Sequence, residues 1–394
     1  MPRKRRAANP QPARGAPAET WERRFALEMS ERLDLPDNDA ANAARLMARH
    51  GAALIFVDGK GWGIWDGARF SFAEGDVRAR ALGFDLEATI LEEAAASVEA
   101  PVSDLAAQRR LAEETMKARP AFLSAEAARQ ALVSERRGRL MKHATKLGNV
   151  NKVEAALRAA EHRALVPLAE LDTDPWTFVC ANGRIDLRRA AYDIFPEAAE
   201  PEEVEAVRAA WLSPHTREGF PTKASPIAYD PAATCPGWDA FMALVFPDAD
   251  VRACFQRGAG ALLFGRNEAQ CAFLLRGHGS NGKSTVMRGL EIVLGERDGY
   301  VVPAKIEMFL MQPNGRSAAQ ATPEEVDVPG ARAVFTSEPE PTDILSAKAI
   351  KGFTGGDRRP ARALNKPQFY YRPACIPVIS FNRTPKIKGE DEGL

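Results

Sequence analysis

Gly277-His278-Gly279-Ser280-Asn281-Gly282-Lys283-Ser284-Thr285 is the stretch that decides the reading of this chain. It fits G-x-x-x-x-G-K-[ST], and its flanks are the ones that pattern needs. The apolar run Cys271–Leu275 before it reads as a buried strand. The stretch Val286–Leu294 after it has a helical pattern and stops at Gly295. Strand, glycine loop and helix together form a phosphate cradle: glycines let the backbone curl, and the helix N-terminus directs N–H groups at an anion. On this reading Gly277, Gly279, Asn281, Gly282, Lys283, Ser284 and Thr285 bind a nucleoside triphosphate, ATP. Lys283 reaches the β- and γ-phosphates, and the Ser284 hydroxyl holds Mg²⁺.

Two apolar strands downstream supply the rest of the chemistry. Ala333–Thr336 leads through Ser337 to Glu338, some fifty residues after Lys283, and a carboxylate there can hold Mg²⁺ or polarise the attacking water. Glu340 is the lesser candidate. Cys375–Phe381 ends in Asn382, whose amide can orient that water against the γ-phosphate. Between the strands lies Lys351–Arg362, with Gly355-Gly356 at a tight turn; basic residues continue through Lys366 and Arg372, interleaved with Phe369, Tyr370 and Tyr371. That composition suits a basic loop or hairpin on a phosphate backbone, or a surface loop with buried aromatics.

Composition narrows the class. With 394 residues there is room for two or three domains. The apolar fraction is 45% and the charged fraction 27%, as in an ordinary soluble protein. No apolar stretch is long enough to span a membrane, and no signal peptide is visible, so a cytoplasmic location is expected. The five cysteines are scattered with no C-x-x-C, which argues against a zinc site or disulfide framework. Net charge is zero, so nucleic-acid binding must come from local patches.

Four segments are expected. Residues 1–18 form a disordered basic tail. Residues 19–165 form a helical domain with a small hairpin, in which Asp58-Gly59-Lys60-Gly61 turns between Ala53–Val57 and Trp62–Trp65. Its basic stretch (Arg136, Arg137, Arg139, Lys142, His143, Lys146) suits a solvated or a DNA-facing helix face equally. Residues 166–236 hold a second hairpin around Asn182-Gly183 and a linker. Residues 237–394 form the nucleotide-binding domain, led by a helical subdomain.

The ordered set resembles the phage and plasmid primase–helicase family, with its poxvirus-type relatives, whose motor is a superfamily 3 helicase. The resemblance is carried by Asn281-Gly282-Lys283-Ser284, Ser337-Glu338, the Lys351…Thr354-Gly355-Gly356-Asp357…Arg362 block and Asn382…Pro385. Phe255-Gln256-Arg257, Asn182–Leu187 and Tyr229-Asp230-Pro231 add to it. It implies an α/β fold: a P-loop, AAA+-like ATPase domain preceded by a mainly helical domain with small β-hairpins. The Asn-ended strand is placed between the phosphate-loop strand and the acid strand. It also implies a homo-hexameric ring on single-stranded or forked DNA. By the same resemblance Lys283, Glu338 and Asn382 become the catalytic set, Ser284 and Glu338 the metal set, and Arg362 and Lys366 the DNA contacts, since they fall in the region of the family's DNA-tracking hairpin.

Two departures follow. The aspartate pairs Asp37/Asp39 and Asp172/Asp174 lack a third ligand, so primase activity is not expected. Family members continue past the equivalent of Leu394 into an arginine-bearing segment, so a C-terminally truncated chain is expected. The leading reading is an ATP-dependent DNA helicase of mobile-element replication. The alternative is a truncated, catalytically weak ATP- and DNA-binding remnant, and hydrolysis stimulated by single-stranded DNA separates the two.

Overall fold

The computed structural model describes residues 21, 24–97, 125–192, 200–277, 279, 281–296, 298–311, 322–336, 338–340, 342–362 and 368–388. The tail 1–18 and Lys366 lie outside the described residues. The chain forms two compact units: residues 1–52 with 82–160, and 53–81 with 161–394. The first hairpin therefore groups with the larger unit, where a linear reading joins it to 19–165.

The first unit is helical. Asn38 caps the helix Asp39–His50 by accepting from the Ala41 amide at 2.9 Å, with Asp39 in the first turn and Arg49 and His50 in the last. The helix Asp85–Ala96 buries Leu86, Thr89, Ile90, Glu93 and Ala94, one stripe at helical spacing. The helix Ala125–Ala144 packs on it. Within the stripe Glu93 is fully buried and paired with Arg45 at 2.8 Å and Arg32 at 3.1 Å. Arg45 also donates to the carbonyls of Pro36 (3.1 Å) and Leu35 (3.3 Å). The basic helix face is partly spoken for: Arg136 reaches Asp34 at 3.2 Å, Arg139 reaches Asp37 at 3.9 Å, and His143 bonds Asn42 at 2.8 Å.

The second unit is mixed α/β. A three-stranded antiparallel sheet comprises β1 (Leu54–Val57), β2 (Gly61–Trp65) and β3 (Phe70–Ser71). Trp62 is buried there edge-on to Phe56, closing the hairpin's own core. A second antiparallel sheet comprises β4 (Thr177–Cys180), β5 (Gly183–Asp186) and β6 (Leu212–Ser213).

The central sheet is wholly parallel. It holds β7 (Phe273–Arg276), β8 (Val301–Ala304), β9 (Ala333–Thr336) and β13 (Ile376–Phe381) in the order β7-β13-β9-β8. Parallel strands covered on both faces read as continuous apolar runs, and β9 and β13 do. Alternate residues feed two cores. Ala333, Phe335, Ile376 and Val378 enter one, while Val334, Ile379 and Phe381 enter the other. Pro303, unable to donate to a ladder, sits in the edge strand β8. Two smaller pieces belong to the same unit: β10 (Ile344–Ser346) beside β14 (Lys386–Lys388), and the hairpin of β11 (Arg359–Ala361) with β12 (Phe369–Tyr371).

Candidate functional site

Register alone gathers the site. Phe381 pairs with Arg276 and Ile379 with Thr336. Asn382 therefore stands level with Gly277 on one side and with Pro339, next to Glu338, on the other. The loop between β7 and the helix Lys283–Leu294 closes over this point, tied down by the Gly277 amide donating to the Phe381 carbonyl at 3.2 Å.

The loop's shape depends on its glycines. Gly282 caps the helix in the left-handed region (φ 85°), and a Cβ there would fall 2.6 Å from Val245. A Cβ at Gly277 would fall 1.6 Å from the Asn281 amide nitrogen. Only glycine meets both demands. Trp238 presses on Gly289 from the preceding helix Pro236–Val245, so that helical segment seats the loop helix.

Lys283 reaches into the loop. Its Nζ donates to the Gly277 carbonyl (2.5 Å), to Asn281 Oδ1 (3.1 Å) and to Asn382 Oδ1 (2.7 Å). Asn382 then turns its donors to the acid: its backbone N–H meets Glu338 Oε1 at 2.7 Å and its Nδ2 meets Oε2 at 2.9 Å. Lysine, amide and carboxylate thus form one chain across the C-terminal ends of β7, β13 and β9. Glu338, Ser284 and Thr285 are exposed, while Lys283 and Asn382 are half-buried. Such a chain stays open to a ligand while its geometry is held by three strands.

Glu340 is placed elsewhere, its amide bonded to Asp343 at 2.8 Å. Arg362 lies at the mouth of the β11–β12 hairpin, where its amide donates to Thr322 Oγ1 at 3.1 Å. The hairpin is clamped by Glu325, which accepts from Arg359 at 2.7 and 3.0 Å and from the Tyr371 hydroxyl at 2.7 Å. Burial and the adjacent Glu325 charge push the Tyr371 hydroxyl's pKa far up, and the same carboxylate raises that of Arg359 against the cost of burial. This clamp has no short-range signature, since Glu325 is 34 residues from Arg359.

The pair Asp172 and Asp174 is occupied. Asp172 accepts from the Thr222 amide at 2.8 Å and hydroxyl at 2.6 Å, and Asp174 from Trp176, Thr177 and Arg188. Among the described residues no group of three or more His, Cys, Asp or Glu could hold a metal ion. All five cysteines are free. No helix among the described residues is long and apolar enough to cross a membrane.

Comparison with known proteins adds the family. The D5 N terminal like family matches residues 43–247, just over half of the chain. The chain belongs to that family. It is thereby a relative of the phage and viral primase–helicases. A "Putative helicase L207/L206" of Acanthamoeba polyphaga mimivirus is 33% identical over 153 residues, which are 39% of this chain and 15% of that protein. The chain thus spans a small part of the relative's length.

Two solved apo structures of the NrS-1 C terminal region also resemble it. One has a TM-score of 0.31 at 14% identity, over 49% of this chain and 50% of that one. The other has a TM-score of 0.30 at 12% identity, over 49% and 51%. Likenesses this low do not assign the fold, which rests on the strand pairing itself. The family match ends ahead of Gly277, so it covers the segment before the glycine loop and not the loop.

Proposed function

We propose that this family member is an ATP-dependent DNA helicase motor of the superfamily 3 type, acting in mobile-element replication. The observation that carries the reading is the chain from Lys283 through Asn382 to Glu338 at the strand ends. A cation inside a glycine loop, an amide and a carboxylate are the groups that nucleotide hydrolysis needs, and three separate strands bring them together. The residues fit ATP and Mg²⁺: Gly277 and Gly282 keep side chains out of the cradle, and a twelve-residue helix points its N-terminus into it. ATP with Mg²⁺ supplies the phosphoryl group and the charge that activates it.

Each residue then has its tasks. Backbone N–H groups of Gly279 and of Asn281 to Ser284 cradle phosphate. Lys283 exchanges its bonds to Gly277 and Asn382 for phosphate oxygens. Ser284 and Glu338 stand to hold the metal, and Glu338 takes the proton of the attacking water while Asn382 fixes its orientation. The hairpin arginines Arg358, Arg362 and Arg372 present charge to a DNA backbone, and the Glu325 clamp keeps that hairpin rigid. A ring of identical subunits around DNA belongs to the same reading. Lys283→Ala tests it: titration calorimetry with ATP and Mg²⁺ should show affinity falling about 100-fold or more, as loss of a charge-assisted contact to phosphate implies. Equal affinity in mutant and wild type removes the assignment.

A further inference from the structure

The central sheet has a second end. Tyr300, Arg332 and Ala374 precede β8, β9 and β13, and they line a cavity of about 650 Å³ on the N-terminal side of those strands. The nucleotide loop lies at the other end, ~13 Å of strand away for four residues at ~3.3 Å each. The volume is that of a small-molecule site, within roughly 300–1,000 Å³.

The wall is cationic. Arg332 is only 4% exposed. It donates to the Thr177 carbonyl and stands over the Tyr300 ring at 4.6 Å, yet its Nη1 is buried without a hydrogen-bond partner. Arg184, paired across the strands with Val179, has a buried Nε in the same condition. A buried donor left unpaired costs about 1–3 kcal/mol, more when it is charged, and a bound acceptor would remove that cost at both arginines. Arg358, Arg372 and Lys60 join the same wall. Three carboxylates line the cavity as well: Asp172 is spent on Thr222 and Asp174 on Thr177 and Arg188, while Glu218 is exposed, and the five cationic side chains outnumber them. Tyr370, half exposed, adds an aromatic surface and carries Arg358 4.4 Å over its ring.

The geometry points to a second phosphate-binding site, one that takes a nucleotide, free or as a unit of a nucleic-acid strand, with its phosphate on Arg332 and Arg184. Phosphate offers the acceptors that these guanidinium donors lack, and the tyrosines suit a flat base. The site is separate from the phosphate loop and does not rest on the motor reading.

The test uses the whole chain carrying Lys283→Ala, so that the loop no longer contributes. Titration calorimetry follows three probes: inorganic pyrophosphate, ATP and a short oligothymidylate. At least one should still bind, and adding Arg184→Gln should weaken it about tenfold or more, as for one lost charge-assisted bond. Arg332→Met should abolish it. Because Arg332 is buried, its variant is read only if its near-ultraviolet circular dichroism matches the parent's; the half-buried Arg184 carries the test otherwise. Binding of ATP and pyrophosphate without the oligonucleotide identifies a free nucleotide, and the reverse identifies a strand. Failure of every probe to bind overturns the site, and so does binding that survives Arg184→Gln unchanged. If the phosphate-loop reading alone is wrong, Lys283→Ala leaves ATP affinity untouched while Arg184→Gln still lowers it.

Discussion

Two clusters of the same residue types behave in opposite ways. In the helical unit, Arg32 and Arg45 hold Glu93 in full burial, and backbone carbonyls take up more of the Arg45 donors. In the α/β unit, Lys283 reaches Glu338 only through Asn382, and the carboxylate is exposed. The first cluster is close to closed: each Arg45 nitrogen has an acceptor and both Glu93 oxygens are taken, while Arg32 Nη2 is buried without one. The second is a relay whose end groups can trade partners. Charged residues alone therefore do not mark a site. What marks it is incomplete burial combined with geometry fixed by neighbouring strands.

The relay should break first and hardest in activity. Glu338→Gln keeps the size of the side chain but loses the carboxylate that the proposed function makes the base and metal partner. ATP turnover with single-stranded DNA should fall about 10²–10⁴-fold, while ATP affinity and melting temperature stay close to those of the parent. Unchanged turnover would hand the role to another acid, with Glu340 next. The closed cluster should show the converse. Glu93→Ala leaves Arg45 buried without its carboxylate, and urea unfolding of the helical unit should lose about 3–5 kcal/mol. A loss under about 1 kcal/mol would mean that water or the remaining carbonyls compensate, and that the cluster is not closed in the sense used here.

A smaller effect sharpens what holds the relay in place. Gly282→Ala must adopt a left-handed conformation, at about 1–2 kcal/mol, and meets Val245 at 2.6 Å. Gly279→Ala, with open space around the added atom, should cost no more than about 0.5 kcal/mol. Thermal unfolding of the pair separates a loop held by one glycine from a loop that merely tolerates glycines; equal costs would discard that distinction.

Much of the relay was legible in the sequence, for a physical reason. Strands of a parallel sheet are buried on both faces, so Ala333–Thr336 and Cys375–Phe381 announce themselves as apolar runs, and polar residues at their ends stand out. The loop was legible because Gly282 and Lys283 occur in a fixed pattern. The placement of β13 between β7 and β9 came from resemblance, not spacing, and the pairing bears it out. Strand β8 escaped, being short and interrupted by Pro303. Long-range polar contacts escaped altogether. Arg45 and Glu93 are 48 residues apart, and Asp172 finds Thr222 across 50. The grouping of the first hairpin with the larger unit depends on bonds such as Phe70 N–H to the Pro221 carbonyl at 2.7 Å, which no local pattern encodes.

The last effect concerns a charge that belongs to neither cluster. Lys60 sits in the turn between β1 and β2 and lines the cavity at the N-terminal side of the central sheet. Burial, and then the charge of Lys223, lowers its amine to about 8 from 10.5, against the pull of Asp172, Asp327 and Asp298. Between those two values the unfolded chain binds a proton that the folded one has released. Stability attributable to Lys60 should therefore rise with pH through that window and level off above it. Tyr371 and Cys375 act in the other direction, since burial holds their protons on in the folded state at high pH. They are present in both wild type and Lys60→Met, so the difference between the two proteins isolates the lysine. Urea unfolding of each at neutral pH and near pH 10 should show the wild type gaining on the variant as pH rises. A difference that stays flat would mean that Lys60 keeps its proton, which would make it a closed partner of Asp172 and move it into the class of Arg45.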